Sequence, residues 1–373
     1  MSMDMSGTDV PMGEMVDLLA ALVAAESPSA EPDAVAACAR LVAEAGAGLL
    51  GEKPEEIVVD GRTHLRWRFG AGPTRVVLVG HVDTVWPRGT IDRWPFSVTD
   101  GVATGPGAFD MKAGIVQLLH ALARVEDRDG VTVLLTADEE LGSPTSRALI
   151  EDTARGALAA LILEPSAGGS LKTARKGVSN YEVVARGRAA HAGLEPEKGA
   201  NAAVEIAHVV VGLAALAVPD LGTTVTPTVL QGGTATNVVP AEASVQVDVR
   251  AATAAEQERV DAALHRLQAS VAGVTLEVRG GPNRPPLPTT SSAPLFARAR
   301  RLAAGLGLAP LDAVEVGGGS DGNFTAAIGV PTLDGLGAVG GGAHAEGEHV
   351  VLAAMPERVA LLAGLVTDLL APS

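Results

Sequence analysis

The sequence predicts an α/β fold carrying an inserted α+β domain, and three observations predict it. From about Arg75, short and continuously apolar runs such as Val131–Thr136 (VTVLLT) alternate with amphipathic segments. Strands of that kind are buried on both faces, which parallel pairing with helical crossovers achieves. Near Arg175 the pattern changes to half-exposed strands interspersed with two helical segments. The length of 373 residues accommodates two domains of about 100–200 residues each.

Taken in order, Arg75–Gly80 (RVVLVG) reads as a buried strand followed by a loop to Asp110. Met111–Val125 has helical spacing, with Ile115, Leu118, Leu119 and Leu122 on one face. Val131–Thr136 is the second strand, Thr145–Arg155 a short helix and Ala160–Leu163 the third strand. In the insert, Val178–Arg186 alternates like a half-exposed strand and Ala200–Ala217 is a long helix. Val225–Leu230 and Ala243–Val249 are strands about the turn Gly232–Gly233, Ala254–Val271 is a helix and Val274–Arg279 closes the sheet. One antiparallel sheet covered by helices on one side is expected. The Pro/Gly-rich stretch Gly280–Pro288 reads as an exit linker, after which helix and strand signals resume through Ala371. The expected division is 1–174 with 287–373, and 175–286 between them; residues 1–10 read as disordered.

Charge and composition narrow the partners. Lys plus Arg total 28 against 44 Asp plus Glu, so the net charge of −16 opposes nucleic acid and anionic lipid. A single cysteine, Cys38, excludes an intrachain disulfide and a thiolate zinc cluster, and reads as a buried helix residue. No Lys or Arg precedes Arg40, so the apolar stretch Leu18–Ala25 lacks the basic flank of a signal peptide. No apolar run approaches the roughly 20 residues of a membrane span. A soluble, cytoplasmic protein is expected.

Histidines and acids gather at the ends of the expected strands, where open α/β sheets place functional groups. The first strand ends in His81-Val82-Asp83, the second in Asp138-Glu139-Glu140 and the third in Glu164. Asp110 stands just before a helix, and His344 lies in a late glycine-rich loop. Each feature alone is weak, since an isolated Glu-Glu pair is usually a solvated face. Two imidazoles and three or four carboxylates on one rim match a two-zinc or two-cobalt site. A catalytic site with an open position fits better than a structural one without cysteine ligands.

The segments Gly80–Val85, Gly105–Lys112, Ala137–Gly142, Leu163-Glu164-Pro165 and Gly342–His344 resemble the metal motifs of one group of zinc peptidases. That group comprises glutamate carboxypeptidases, aminoacylases and succinyl-diaminopimelate desuccinylases. The resemblance runs in order through nearly the whole chain from Val76, and Trp86–Phe96 is most similar to the glutamate carboxypeptidase branch. It implies a catalytic domain with a mixed, mostly parallel sheet flanked by helices, plus a lid that also forms a homodimer. It also implies two Zn2+ per subunit, with Co2+ or Mn2+ as substitutes. Asp110 would bridge the ions, His81 and Glu164 would complete one set, and Glu140 and His344 the other. Asp83 would accept the second ring N–H of His81, Glu139 would be the general base, and a cis peptide would follow Asp110.

The same resemblance assigns roles in the insert. Gly187–Asn201 is similar to the lid motif in which a histidine, here His191, reaches the neighbouring subunit's site and donates to the oxyanion. Asn237 and Arg250 match lid residues that hold substrate. Arg284 and Lys172 fall where the carboxypeptidase branch has cations for substrate carboxylates, although Arg284 also reads as a linker surface charge. Gly317–Asp321 matches a substrate-facing loop. His64, His120, His208, His265 and His349 read as ordinary face or loop residues, and Glu346 and Glu348 as exposed loop acids. The expected reaction is hydrolysis of an amide beside a free carboxylate in a small substrate, glutamate carboxypeptidase-like. N-acyl-amino-acid deacylase, desuccinylase and dipeptidase are alternatives. A non-catalytic relative binding a ligand through the same cleft is a further one, and it predicts a missing ligand or base.

Overall fold

Every residue of Val76–His81 and of Val131–Thr136 is buried, and these two strands form the middle of a six-stranded sheet. The computed structural model describes residues 11–371, so the disorder expected for residues 1–10 lies outside the described residues. The chain forms two units. One runs to Ala174 and resumes over Thr289–Val316 and from Ser320 onward; the other is Arg175–Pro288 with Gly317–Gly319.

The first unit opens with helices α1 (Met12–Ala24) and α2 (Pro32–Leu50), then strands β1 (Glu55–Val59), β2 (Arg62–Arg68) and β3 (Val76–His81). A short helix α3 (Thr90–Arg93) and strands β4 (Ser97–Thr99) and β5 (Val102–Thr104) precede α4 (Ala113–Ala123). Then come β6 (Val131–Thr136), α5 (Arg147–Ala154), β7 (Ala159–Ile162) and β8 (Leu171–Arg175). The β1–β2 hairpin has no counterpart in the expectations above. It turns on Asp60-Gly61, both at positive φ (47° and 78°), a strong hairpin pair.

The second unit contains β9 (Gly177–Arg186), α6 (Ala202–Ala214), β10 (Thr224–Gly232), β11 (Glu242–Ala251), α7 (Ala254–Leu264) and β12 (Thr275–Arg284). Its sheet, in the order β10-β11-β9-β12, is antiparallel throughout. Tyr181, Val183, Ala185, Val245, Val247 and Val249 face a core shared with Ile206 and Val209 of α6 and Val260 and Leu264 of α7. One correction falls here, because Gly280–Arg284 is not linker but the second half of β12, paired with Tyr181–Val178. The strand tolerates Pro282 because it is an edge, with an irregularity between Pro282 and Arg284.

The chain re-enters the first unit through α8 (Thr289–Gly305), β13 (Ala313–Val316), α9 (Gly322–Ala327), β14 (Thr332–Leu333), β15 (Gly340–Gly341), β16 (His349–Val351) and α10 (Met355–Leu370). The main sheet runs β1-β2-β6-β3-β7-β14, parallel across β6-β3-β7-β14 and antiparallel at the β1 and β2 edge. Continuous burial has a simple cause. Val76 and Leu78 of β3 pack into the core with α4, which α1, α2 and α10 surround; Val77 and Val79 face the other way, toward Ala154 and Ile162. Cys38 is buried in α2. Among the described residues, no helix is long and apolar enough to cross a membrane.

Candidate metal centre

Three parallel neighbours, β6, β3 and β7, deliver side chains at their carboxyl ends, as open α/β sheets do. His81 closes β3, Glu139 and Glu140 stand on the turn after β6, and Glu164 follows β7. Asp110 lies in the turn Ala108–Lys112 before α4, and the peptide Asp110–Met111 is cis. His344 sits between β15 and β16 at φ 61°, a left-handed conformation that histidine adopts more readily than most residues.

These five side chains converge as two triads that share Asp110: His81, Asp110 and Glu164, and Asp110, Glu140 and His344. His81 Nε2 is 3.4 Å from Asp110 Oδ1 and 3.5 Å from Glu164 Oε1. His344 Nε2 is 3.4 Å from Asp110 Oδ2 and 3.2 Å from Glu140 Oε1. Two ligand atoms at about 2.0–2.2 Å from a tetrahedral ion stand about 3.3–3.6 Å apart, so the spacing fits ligands around an ion. Asp110 Oδ1 and Glu140 Oε1 are buried without a hydrogen-bond partner among the described residues. Such atoms are costly unless something else satisfies them.

The electrostatics agree. Burial disfavours a charged His81, yet Asp110, Asp83 and Glu164 outweigh it and hold the imidazole well above its ordinary value. His344 is pushed up to about 10 by Asp110 and Glu140. Burial acts to raise the Asp110 carboxyl, but His344 and His81 hold it well below the usual range. Burial pushes Glu140 up against the pull of His344. So dense a set of acids draws positive charge to itself, and dications would supply it while leaving both imidazoles neutral ligands.

Asp83 behaves differently from expectation. The His81 Nδ1 lies 2.9 Å from the Asp83 main-chain carbonyl, whereas Asp83 Oδ1 is 3.5 Å away. The buried carboxylate instead accepts from Ser29 Oγ (2.7 Å) and from the main-chain N–H groups of Glu139 and Glu140 (3.2 Å each). Asp83 therefore orients the histidine through its main-chain carbonyl and the tandem glutamates through its carboxylate. A second correction concerns Glu348, which is fully buried and not an exposed loop acid. Its carboxylate accepts from Gly107, Phe109 and Asp110 main-chain N–H groups and from Trp86 Nε1. Burial pushes its carboxyl up, and those donors pull it back. The only sequence signal for it was a glutamate in a glycine-rich loop at the start of a strand.

A family model for Peptidase family M20/M25/M40 matches residues 77–368. The chain belongs to this peptidase family. As a member, it is a metal-dependent hydrolase. Carboxypeptidase G2 of Pseudomonas sp. (strain RS-16) is 33% identical over 80% of this chain and 75% of that protein. Succinyl-diaminopimelate desuccinylase of Wolinella succinogenes is 29% identical over 76% of this chain and 81% of that protein. Among solved structures, aminopeptidase PepT from Bacillus cereus superposes with a TM-score of 0.75 at 21% identity, covering 97% of this chain and all of that one. The Bacillus subtilis YXEP protein, a dinuclear metal-binding peptidase, has a TM-score of 0.65 at 16% identity over 96% and 98% of the chains. These two likenesses concern the fold.

The remaining expected residues of this peptidase lie in both units. Lys172 is half-buried on β8, beside Asp334. In the second unit, His191 is exposed, and its Nδ1 accepts the main-chain N–H groups of Gly193 and Leu194 (3.1 Å each). That assigns the proton of the neutral ring to Nε2. Asn237 lies beside it, its carbonyl accepting from Ala192 N at 2.9 Å. Arg250 and Arg284 stand on either side of Val178 in the sheet register. The Arg250 guanidinium forks onto Asp248 (2.7 and 2.8 Å), and Arg284 is buried. In the expected Gly317–Asp321 loop, the carbonyls of Gly318 and Gly319 accept from Arg175, and the Asp321 carboxylate accepts from Thr136 Oγ1 and Ser143 Oγ.

Proposed function

We propose that this enzyme is a two-zinc hydrolase that cleaves an amide or peptide bond beside a free carboxylate, acting as a glutamate carboxypeptidase. The observation carrying the two-ion reading is the division of Asp110, whose two oxygens face two different histidine–glutamate pairs. His81, Asp110 and Glu164 would hold one ion and Asp110, Glu140 and His344 the other. Bound there, two divalent ions supply Lewis acidity that polarises the scissile carbonyl and makes the attacking water acidic.

The chain's own residues do the rest. Glu139, held on its turn by Asp83, takes a proton from the attacking water and passes it to the leaving amine. His191 donates from Nε2 to the developing oxyanion, acting across a homodimer formed through the lid unit. Asn237, Arg250, Arg284 and Lys172 bind the substrate, the cations meeting its carboxylates. The 33% identity to carboxypeptidase G2 supports the carboxypeptidase reading over the deacylase one, which the desuccinylase relatives keep as the second.

Metal analysis with a hydrolysis panel tests this. Zinc in a ratio of two per chain and turnover of C-terminal glutamyl amides, including folate-type substrates, are expected. Preference for N-succinyl amino acids or for unblocked dipeptides would move the assignment to the desuccinylase or dipeptidase reading. Absence of any amide hydrolysis at full metal loading would overturn it.

A further inference from the structure

We propose that Glu348 is a positioning residue for the metal centre, holding the Asp110 turn and the His344 loop in the geometry that both ions require. The inference rests on the two-ion reading above and concerns a residue that touches none of the expected ions.

The geometry is specific. Glu348 Oε1 accepts from Phe109 N and Asp110 N, both at 2.8 Å; Oε2 accepts from Trp86 Nε1 at 2.8 Å and Gly107 N at 3.0 Å. A carboxylate offers about four lone-pair sites, and here all four are taken by N–H donors. The group is fully buried, so removing the carboxylate would take from these N–H donors the acceptor they have in the fold, which is costly where water does not replace it. Three of the donors belong to the turn that ends at Asp110. The turn is also tight: Gly107 has φ 73°, and a Cβ there would stand 2.6 Å from Thr84 Cγ2.

Glu348 also belongs to the loop of His344. Its own N–H bonds Ala345 O at 3.1 Å, and Ala345 N bonds Gly342 O at 3.0 Å, closing two turns around His344. The fourth donor, Trp86, comes from the segment leaving β3 just beyond His81 and Asp83, and packs edge-on against Trp94 with ring centroids 5.1 Å apart. One carboxylate therefore ties the segments bearing His81, Asp110 and His344 together. Because Asp110 belongs to both triads, a shift of its turn should weaken both ions rather than one. Replacement by Gln keeps the shape but turns an NH2 group toward two N–H donors, so it breaks one pair of bonds outright.

The test is Co2+ binding by chelator competition and Co2+ absorption spectra on wild type, Glu348→Gln, Glu348→Asp and Trp86→Phe, with circular dichroism on each apo protein. Glu348→Gln is expected to keep the fold, bind both Co2+ about 10–100-fold more weakly and show an altered spectrum. Trp86→Phe, which leaves the three bonds to the Asp110 turn, should bind as wild type does. Should Glu348→Gln fail to fold, Glu348→Asp carries the comparison, since it keeps the charge and loses the reach. Wild-type affinity and spectrum in a folded Glu348 variant would overturn the proposal, whatever its thermal stability. A wild type binding fewer than two Co2+ would instead overturn the two-ion reading beneath it, so the two failures are told apart.

Discussion

Glu139 and Glu140 are neighbours in sequence, and the proposed chemistry gives them opposite dependences on metal. Both main-chain N–H groups are held by Asp83, so substituting either side chain leaves the turn's anchoring intact. Glu139→Gln is expected to lose about 10²–10⁴-fold in turnover with metal content unchanged. Glu140→Ala, which removes a group 3.2 Å from His344, should instead lower occupancy of one ion. Metal analysis beside steady-state kinetics on the two variants separates the roles; metal loss in Glu139→Gln would make that residue a ligand. At this scale the five converging residues were legible because strand ends and glycine loops mark where an α/β sheet collects function. The partners behind them were not. That Asp83 offers its main-chain carbonyl to His81 follows from where Ser29 and two N–H groups sit, which no local pattern encodes. Glu348 likewise is buried only because three distant segments fold over it.

Elements position these residues through close backbone approaches, which sequence periodicity does not reveal. The β7 end that leads to Glu164 is flanked by two glycines. A Cβ on Gly114 of α4 would lie 2.4 Å from the Leu163 carbonyl oxygen, and one on Gly337 would lie 2.1 Å from the same atom. In an exposed helix, replacing glycine by alanine stabilises by roughly 0.5–1 kcal/mol. Here overpacking should cost about 1–3 kcal/mol and reverse the sign. Gly114→Ala is therefore expected to lower the denaturation midpoint and, by displacing Leu163, to weaken the ion facing Glu164; urea unfolding and metal titration check both. The buried strands β3 and β6 were legible from unbroken apolar runs, since burial on both faces leaves no alternation. The helix expected from Met111 begins at Ala113 instead, because the preceding residues form the turn that presents Asp110. The end of β12 was misread because its Gly and Pro residues signal a loop, whereas an edge strand accepts them.

At the scale of the whole molecule, the second unit leaves apolar surface uncovered in the single chain. Val204 and Val211 of α6 are 43% and 75% exposed, and Val229 and Leu230 of the edge strand β10 are 43% and 60% exposed. Helix and strand pack together, so these residues lie on neighbouring elements, and an edge strand with exposed apolar side chains is a surface that proteins normally cover. A second copy of the chain is the occupant that the proposed mechanism requires, because that mechanism would bring His191 of each second unit to the other subunit's site. His191→Ala is then expected to lose about 10²–10³-fold in kcat, as removal of one oxyanion donor does, while binding metal normally. Mixing that variant with Glu139→Ala supplies the decisive measurement. In a mixed dimer, the subunit that keeps Glu139 receives His191 from its neighbour, so one composite site is intact and the other lacks both groups. Random exchange makes half the dimers mixed, and recovery should approach about one quarter of the wild-type rate. Each variant alone keeps at most about one per cent of the wild-type rate, so a gain to about one quarter can come only from residues of two chains meeting at one site. No recovery on mixing, with subunit exchange demonstrated by labelled chains, would show that His191 serves its own chain or takes no part in the reaction.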